Sequence, residues 1–153
     1  MEVILDTNIL IEILKNNEET IELVQKFNTH YISVISAMEL YYGAFNKTEL
    51  NKLKKFVELF HIININEEIS DLSKKLVFDY AKSHSLDIPD SLIAATAIIN
   101  NINLLSYNKK DFKFETIWNS QWEPGAVTQH ASEIYVQRFG SKGHSCEDIQ
   151  EVI

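Results

Sequence analysis

Short apolar runs alternate with segments of helical periodicity through the first 118 residues of the chain. The runs predict strands at residues 1–5, 31–35, 60–65, 103–106 and 115–118. Between them, apolar residues recur three and four positions apart, which predicts helices. These helices cover residues 9–27 with a break at 16–17, then 37–44, 50–60, 69–84 and 89–101. Strands and helices that alternate at these lengths predict a parallel sheet sandwiched by helices.

Composition is typical of a globular chain with one compact domain: 153 residues, of which 45% are hydrophobic and 24% charged. The single cysteine, Cys146, excludes an intrachain disulfide and a cysteine-rich zinc site. An acidic N-terminus and the lack of a ~20-residue apolar segment argue against a secretory signal and a membrane span, so we expect a cytoplasmic protein. The net charge of −8 is unusual for a nucleic-acid-binding protein, unless acids are concentrated where metal ions reverse the local charge.

The composition of the chain changes near residue 119. Ile, Asn, Lys, Phe and Tyr are abundant before this point, whereas residues 120–153 contain no asparagine and carry the only arginine, Arg138. We therefore divide the chain into a domain at residues 1–118 and a C-terminal extension at 119–153. The extension is either native or an appended, read-through segment from a different coding background. Its apolar residues Ile134, Val136 and Phe139 would allow it to dock on the domain.

Two acids in the N-terminal third of the chain follow predicted strands. Asp6 comes directly after the first strand, at the position where open α/β sheets place their sites. An Asx turn or a helix cap also explains a lone aspartate there. Glu39 lies three residues after Ser36, a spacing that predicts a capping box with Ser36 as the N-cap. Each acid thus has a structural explanation of its own.

Two further acids stand near the end of the domain. Asp90 follows Pro89 in the first turn of a predicted helix, where the helix dipole stabilises a carboxylate. Because this helix is apolar on most faces and should be buried, an acid at its start must be paired, hydrated or bound to metal. Asp87 lies before the proline and is interpreted as a loop acid. Asp111 follows the strand at 103–106, and Asn108 could offer an oxygen or an amide donor to the same place.

Taken together, the four acids predict a metal site at one edge of the sheet. Several bare carboxylates within a few ångströms repel one another, and a divalent cation removes that conflict. Ligands that are all oxygen favour Mg²⁺ or Mn²⁺ over zinc or copper. Such a site suits phosphodiester hydrolysis, because the metal can bind the scissile phosphate and activate water.

Four ordered sequence blocks in this domain resemble a known family. They are LDTNILI, ISVISAMELYYGA, IPDSLIAATAI and LLSYNKKDF. In order and approximate spacing they are similar to the PIN domain, in particular the VapC-type toxin ribonucleases of prokaryotic toxin–antitoxin pairs. The resemblance covers residues 1–118 and implies a three-layer α/β/α sandwich with a central, mainly parallel sheet. It has no counterpart for residues 119–153.

The resemblance also implies a set of site residues and partners. Asp6, Glu39 and Asp90 match the metal-binding catalytic acids, and Asp111 would complete the cluster. Either Asn108 or Asp111 could face the metal, which leaves one-metal and two-metal binding both open. The positions after the first acid, Thr7 and Asn8, match supporting residues that orient it or its metal water.

The implied function is that of a Mg²⁺- or Mn²⁺-dependent endoribonuclease that hydrolyses RNA, blocked by an antitoxin protein and commonly a homodimer. The alternative is a catalytically inactive module of the same fold that binds RNA or protein. The full set of acids favours the enzyme, because a binding module gains nothing from carboxylates that repel one another. Metal-dependent cleavage of DNA would use the same site chemistry and is not separated by the sequence.

Overall fold

The computed structural model describes residues 1–107 and the backbone of residues 135–137. The strands are β1 (Glu2–Leu5), β2 (Thr29–Ser33), β3 (His61–Ile63), β4 (Asn103–Ser106) and β5 (Tyr135–Gln137). The helices of the described region are α1 (Thr7–Leu14), α2 (Glu18–Val24), α3 (Val34–Tyr42), α4 (Lys47–Val57), α5 (Glu67–His84) and α6 (Ile88–Asn100). The predicted alternation of strands and helices is confirmed, while the strand predicted at 115–118 lies outside the described residues.

The strands form one sheet in the order β3-β2-β1-β4-β5. The pairs β3–β2, β2–β1 and β1–β4 are parallel, and β5 joins β4 in the antiparallel sense. The mainly parallel sheet predicted from the sequence is therefore confirmed. The backbone of β5 belongs to the predicted extension, and the division at residue 119 and its origin stay predictions.

Both faces of the sheet are covered, because alternate residues of its central strands point to opposite sides. On one face, Ile4 and Leu104 pack in a core with α5 and α6. On the other, Val3, Leu5 and Leu105 pack in a core with the four helices α1 to α4. This arrangement is the expected three-layer α/β/α sandwich. No helix within residues 1–107 combines the length and the apolar character needed to cross a membrane.

Each described helix begins at a short polar side chain that accepts a hydrogen bond from a backbone N–H of the first turn. These N-caps are Asp6, Asn17, Ser33, Asn46, Asn66 and Asp87. Five of the six described helices begin one to three residues before the predicted start. The strand predicted at 31–35 ends at Ser33, because Ser33 caps α3 and Ile35 already belongs to that helix. The helix predicted from Pro89 begins at Ile88.

The edge strand β3 is more exposed than predicted. The sequence alternation at 60–65 indicates a half-buried strand, but His61 and Ile62 are both exposed and Ile63 is only half-buried. The strand is three residues long and pairs on one side with β2, as short edge strands commonly do.

Candidate active site

Asp6 is held by hydrogen bonds at the carboxyl edge of the sheet. It follows β1 directly and is 4% exposed. Its Oδ1 accepts a hydrogen bond of 2.7 Å from the Thr7 backbone N–H, so it is the N-cap of α1. Its Oδ2 accepts a bond of 2.5 Å from the hydroxyl of Ser106, at the end of β4. The capping role predicted as an alternative is real, and it coexists with a placement where a ligand could bind.

A second set of hydrogen bonds ties the end of β4 to the start of α1. The side-chain amide of Asn8 donates to Ser106 Oγ at 3.1 Å, and its Oδ1 accepts from the Tyr107 N–H at 3.2 Å. The Tyr107 hydroxyl is hydrogen-bonded to Thr20 of α2. Ser106 thus accepts from Asn8 while it donates to Asp6. Asn8 therefore acts on Asp6 through Ser106. The sequence analysis does not single out Ser106.

Glu39 reaches this edge from α3. The Thr7 hydroxyl donates a hydrogen bond of 2.8 Å to Glu39 Oε1, which links α1 to α3. The predicted capping box is wrong, since Ser33 rather than Ser36 caps the helix. Ser36 lies inside the first turn of α3, is fully buried, and its Oγ has no hydrogen-bond partner within the described part of the chain. The Glu39 carboxylate is therefore directed to Thr7 instead of to the helix end.

Asp90 lies half-buried in the first turn of α6. Asp87, interpreted from the sequence as a loop acid, is the N-cap of this helix and accepts a 2.8 Å hydrogen bond from the Asp90 N–H. The expectation that α6 is buried is confirmed, as most of its residues from Ser91 to Ala97 have no exposure. Because α6 packs on β2 and β4 and leads directly into β4, its first turn lies toward the carboxyl edge of the sheet.

The serines behind Asp90 form a small buried network. The Ser91 hydroxyl donates to the carbonyl of Ile88 at 2.7 Å, and the Ser73 and Ser91 hydroxyl oxygens are 2.7 Å apart. Since the Ser91 proton is used on Ile88, Ser73 is the donor in that pair. This contact fixes the start of α6 against α5.

The structure brings together only part of the predicted acid cluster. Asp6 and Glu39 are connected by hydrogen bonds through Thr7. The carboxylate oxygens of these two acids are ligands that suit a hard cation such as Mg²⁺. Among residues 1–107, however, no three His, Cys, Asp or Glu side chains form a group that could hold a metal ion. Asn108 and Asp111 lie outside the described residues. The donor chemistry fits a divalent cation, while the complete ligand set stays a prediction.

Comparison with known proteins assigns the family. The model of the PIN domain matches residues 3–114. The chain belongs to the PIN domain family. All four sequence blocks lie within this range, whereas residues 115–153 lie beyond it.

Relatives of this PIN domain include named ribonucleases and toxin complexes. Ribonuclease VapC1 of Methanocaldococcus jannaschii is 34% identical over 112 residues, which are 72% of this chain and 79% of the relative. A toxin–antitoxin complex from Klebsiella pneumoniae contains a chain with a TM-score of 0.63 and 30% identity, over 72% of this chain and 90% of that one. The structure of VapBC2 from Rickettsia felis, bound to a DNA fragment from its promoter, contains a chain with a TM-score of 0.60 and 30% identity. The match covers 74% of this chain and 92% of that one.

Proposed function

We propose that this PIN domain is a metal-dependent endoribonuclease and the toxin of a toxin–antitoxin pair. The observation that carries the proposal is the buried carboxylate of Asp6 at the end of the central strand, connected through Thr7 to Glu39. A carboxylate used only as a helix cap does not need a second acid held next to it. The ribonuclease names of its relatives support RNA as the substrate.

In this proposal Mg²⁺ or Mn²⁺ is held by Asp6, Glu39, Asp90 and Asp111. A cation bound there would supply Lewis-acid activation of water and of the scissile phosphate. The protein's own contribution is orientation: Ser106 and the Thr7 N–H fix the Asp6 carboxylate, and the Thr7 hydroxyl fixes one oxygen of Glu39. Such supporting contacts restrict the acids to few rotamers before the ligand binds.

Regulation and assembly complete the proposal. Solved neighbours of this fold are toxin–antitoxin complexes, which supports a cognate antitoxin that covers the site. We extend the proposal to a homodimer that acts in the cytoplasm. The nuclease site would be carried by residues 1–118, and the extension at 119–153 would add β5 to the edge of its sheet.

The test is cleavage of a panel of structured RNAs by the purified full chain in Mn²⁺, in Mg²⁺ and in EDTA. The informative variant is Asp90→Asn, and Asp87→Asn is its matched control. Each variant removes one carboxylate at the start of α6. Asp87 is the N-cap, and because asparagine caps a helix about as well as aspartate, Asp87→Asn should preserve α6. We expect metal-dependent cleavage that falls at least ~100-fold in Asp90→Asn, because the site then has one ligand acid fewer, and is unchanged in Asp87→Asn.

Equal activity of the two variants would contradict the assignment of Asp90. The absence of cleavage with any metal, together with no heat of Mn²⁺ binding in calorimetry, would favour the catalytically inactive module. That alternative agrees with the lack of a three-acid group among residues 1–107.

A further inference from the structure

Two aromatic rings are almost completely exposed where α3 passes into α4. Tyr42, the last residue of α3, is 94% exposed, and Phe45, in the following turn, is 91% exposed. Single exposed apolar side chains are common on protein surfaces, but two whole aromatic faces three residues apart are not explained by folding. Together with the lysines of α4 (Lys47, Lys52, Lys54 and Lys55), we call this surface the α3–α4 corner.

The backbone of the α3–α4 corner is held by hydrogen bonds, so the rings project from a defined turn. The Gly43 N–H donates to the Glu39 carbonyl at 3.0 Å. The Phe45 N–H donates to Glu49 Oε2 at 2.6 Å, and the Asn46 side chain accepts from the Glu49 N–H at 2.9 Å. A ligand that binds these rings would therefore not have to order the turn.

The positive charge of the corner is not neutralised within the described region. Helix α4 carries four lysines against one glutamate, in a chain whose net charge is −8. The ion pairs formed within residues 1–107 involve Lys15, Lys74 and Lys75, and none involves a lysine of α4. The corner is thus a local region of positive charge on an acidic protein.

The other strongly exposed aromatic residue on a charged helix provides a contrast. Phe78 of α5 is 89% exposed, and two of the three lysines within one turn of it are paired with acids of the same helix, while Lys82 is in no ion pair within the described residues. Lys74 pairs with Asp71 and Lys75 pairs with Asp79. An apolar partner alone would explain both surfaces equally well. Within residues 1–107, the α3–α4 corner combines two exposed rings with four lysines outside any ion pair, whereas Phe78 has one such lysine beside it, Lys82.

We propose that the α3–α4 corner binds single-stranded RNA and delivers it to the active site. Aromatic rings stack on unpaired bases of any sequence, and lysines neutralise the backbone phosphates. Tyr42 lies three residues after Glu39 on α3, which is about one turn, or ~5 Å along the helix axis. Helix α3 runs away from the carboxyl edge of the sheet towards Tyr42, so a base stacked on Tyr42 lies about one turn beyond Glu39, and the next nucleotides of the strand would lead to the proposed metal-binding edge. This inference rests on the proposed function, because it names the form of RNA that the same site receives.

The experiment measures binding of a labelled single-stranded RNA of ~12 nucleotides by fluorescence anisotropy with the full chain in EDTA, where the proposed enzyme does not cut. We expect the double variant Tyr42→Ala, Phe45→Ala to raise Kd at least ~10-fold, since each stacked base contributes measurably to affinity. The double variant Tyr42→Phe, Phe45→Tyr keeps both rings and should bind as the wild type does. Phe78→Ala removes an equally exposed ring elsewhere and should leave Kd unchanged.

Salt dependence tests the lysines separately from the rings. Lys52→Gln with Lys55→Gln should reduce the slope of log Kd against log salt by about 0.7 for each phosphate that is no longer neutralised. Lys74→Gln, which removes a lysine that is already paired, should leave the slope unchanged. A duplex RNA of the same sequence should bind without sensitivity to Tyr42→Ala, because its bases are not available for stacking.

Several results would overturn the inference. RNA affinity that is unchanged in the Tyr42→Ala, Phe45→Ala variant, with an unchanged thermal midpoint, excludes the corner as an RNA surface. If that variant instead changes the oligomeric mass or no longer binds the antitoxin, the rings belong to a protein interface. Because RNA binding is measured without metal, a failure of the proposed nuclease function can be told apart from a failure of this inference. In the first case RNA would bind the α3–α4 corner but would not be cleaved in Mn²⁺.

Discussion

Removal of the Ser106 hydroxyl tests whether the contact that orients Asp6 contributes to metal binding as well as to stability. Ser106→Ala removes an oxygen that is fully buried, donates to Asp6 Oδ2 at 2.5 Å and accepts from Asn8 at 3.1 Å. The substitution leaves the backbone of β4 and its pairing with β1 in place. It also leaves the cap of α1, because the Thr7 N–H still bonds to Asp6 Oδ1.

The expected destabilisation follows from the two hydrogen bonds. A hydrogen bond to a charged group contributes about 1.5–3 kcal/mol and a neutral one about 0.5–1.5 kcal/mol. Ser106→Ala should therefore lower the free energy of unfolding by about 2–4 kcal/mol. Ser73→Ala is the matched control, since Ser73 is also buried but donates to a neutral hydroxyl, and it should lower that free energy by only about 1 kcal/mol.

Urea unfolding in EDTA measures both variants without interference from metal. The midpoint should fall by roughly 1–2 M for Ser106→Ala, with an unchanged dependence of free energy on denaturant. Mn²⁺ titration should show a ~10-fold weaker affinity, because a ligand acid no longer has the hydroxyl that orients it. Equal destabilisation by Ser106→Ala and Ser73→Ala would refute the reasoning, since the bond to Asp6 would then have no charged character.

Two other changes test individual hydrogen bonds of the same region. Thr7→Val removes the hydroxyl that orients Glu39 and should weaken Mn²⁺ binding and RNA cleavage ~10-fold or more. Thr7→Ser keeps the hydroxyl and should bind Mn²⁺ and cleave RNA as the wild type does. If Thr7→Ser is as poor as Thr7→Val, the effect comes from packing of the Thr7 side chain. The pKa of Glu12 is held below its ordinary value, first by the hydrogen bond from Lys15 and then by that from Asn17. Lys15→Ala should move that pKa upward in a carbon-13 NMR titration. Because the pKa of Glu12 is lower in the folded protein, these hydrogen bonds stabilise the fold above the ordinary pKa of Glu12. That stabilisation is lost as pH falls through the lowered pKa, so the free energies of unfolding of the variant and the wild type should become equal in acid.

The layer architecture could be predicted because strands and helices alternate along the chain, and the central strand β1 agrees with it by being apolar on both sides. Val3, Ile4 and Leu5 are all buried, and a strand of this kind requires helices on both faces. Helix boundaries were predicted less well. The segment around Ser33 and Ser36 contains two serines at the end of an apolar run, and periodicity alone does not say which one ends the strand.

The acids of the candidate site were predicted from the sequence, but the residue that orients the first of them was not. Asp6, Thr7 and Asn8 are adjacent, so the role of one suggests the roles of the others. The partner of Asp6 on the opposite side, Ser106, is 100 residues away, and no local pattern connects them. Asp87 was missed for a different reason: the proline after it suggested a loop, although proline is favoured in the first turn of a helix that an aspartate caps.

The position of β1 between β2 and β4 determines when the site can exist during synthesis. Its partner β2 follows within 30 residues, but β4, which carries Ser106, is made only after two-thirds of the chain has been translated. Until then one side of β1 has no strand to pair with, and the Asp6 carboxylate lacks the hydroxyl that orients it. A nascent chain on the ribosome would therefore hold an incomplete site, and the proposed activity would begin only when β4 has been released and inserted beside β1.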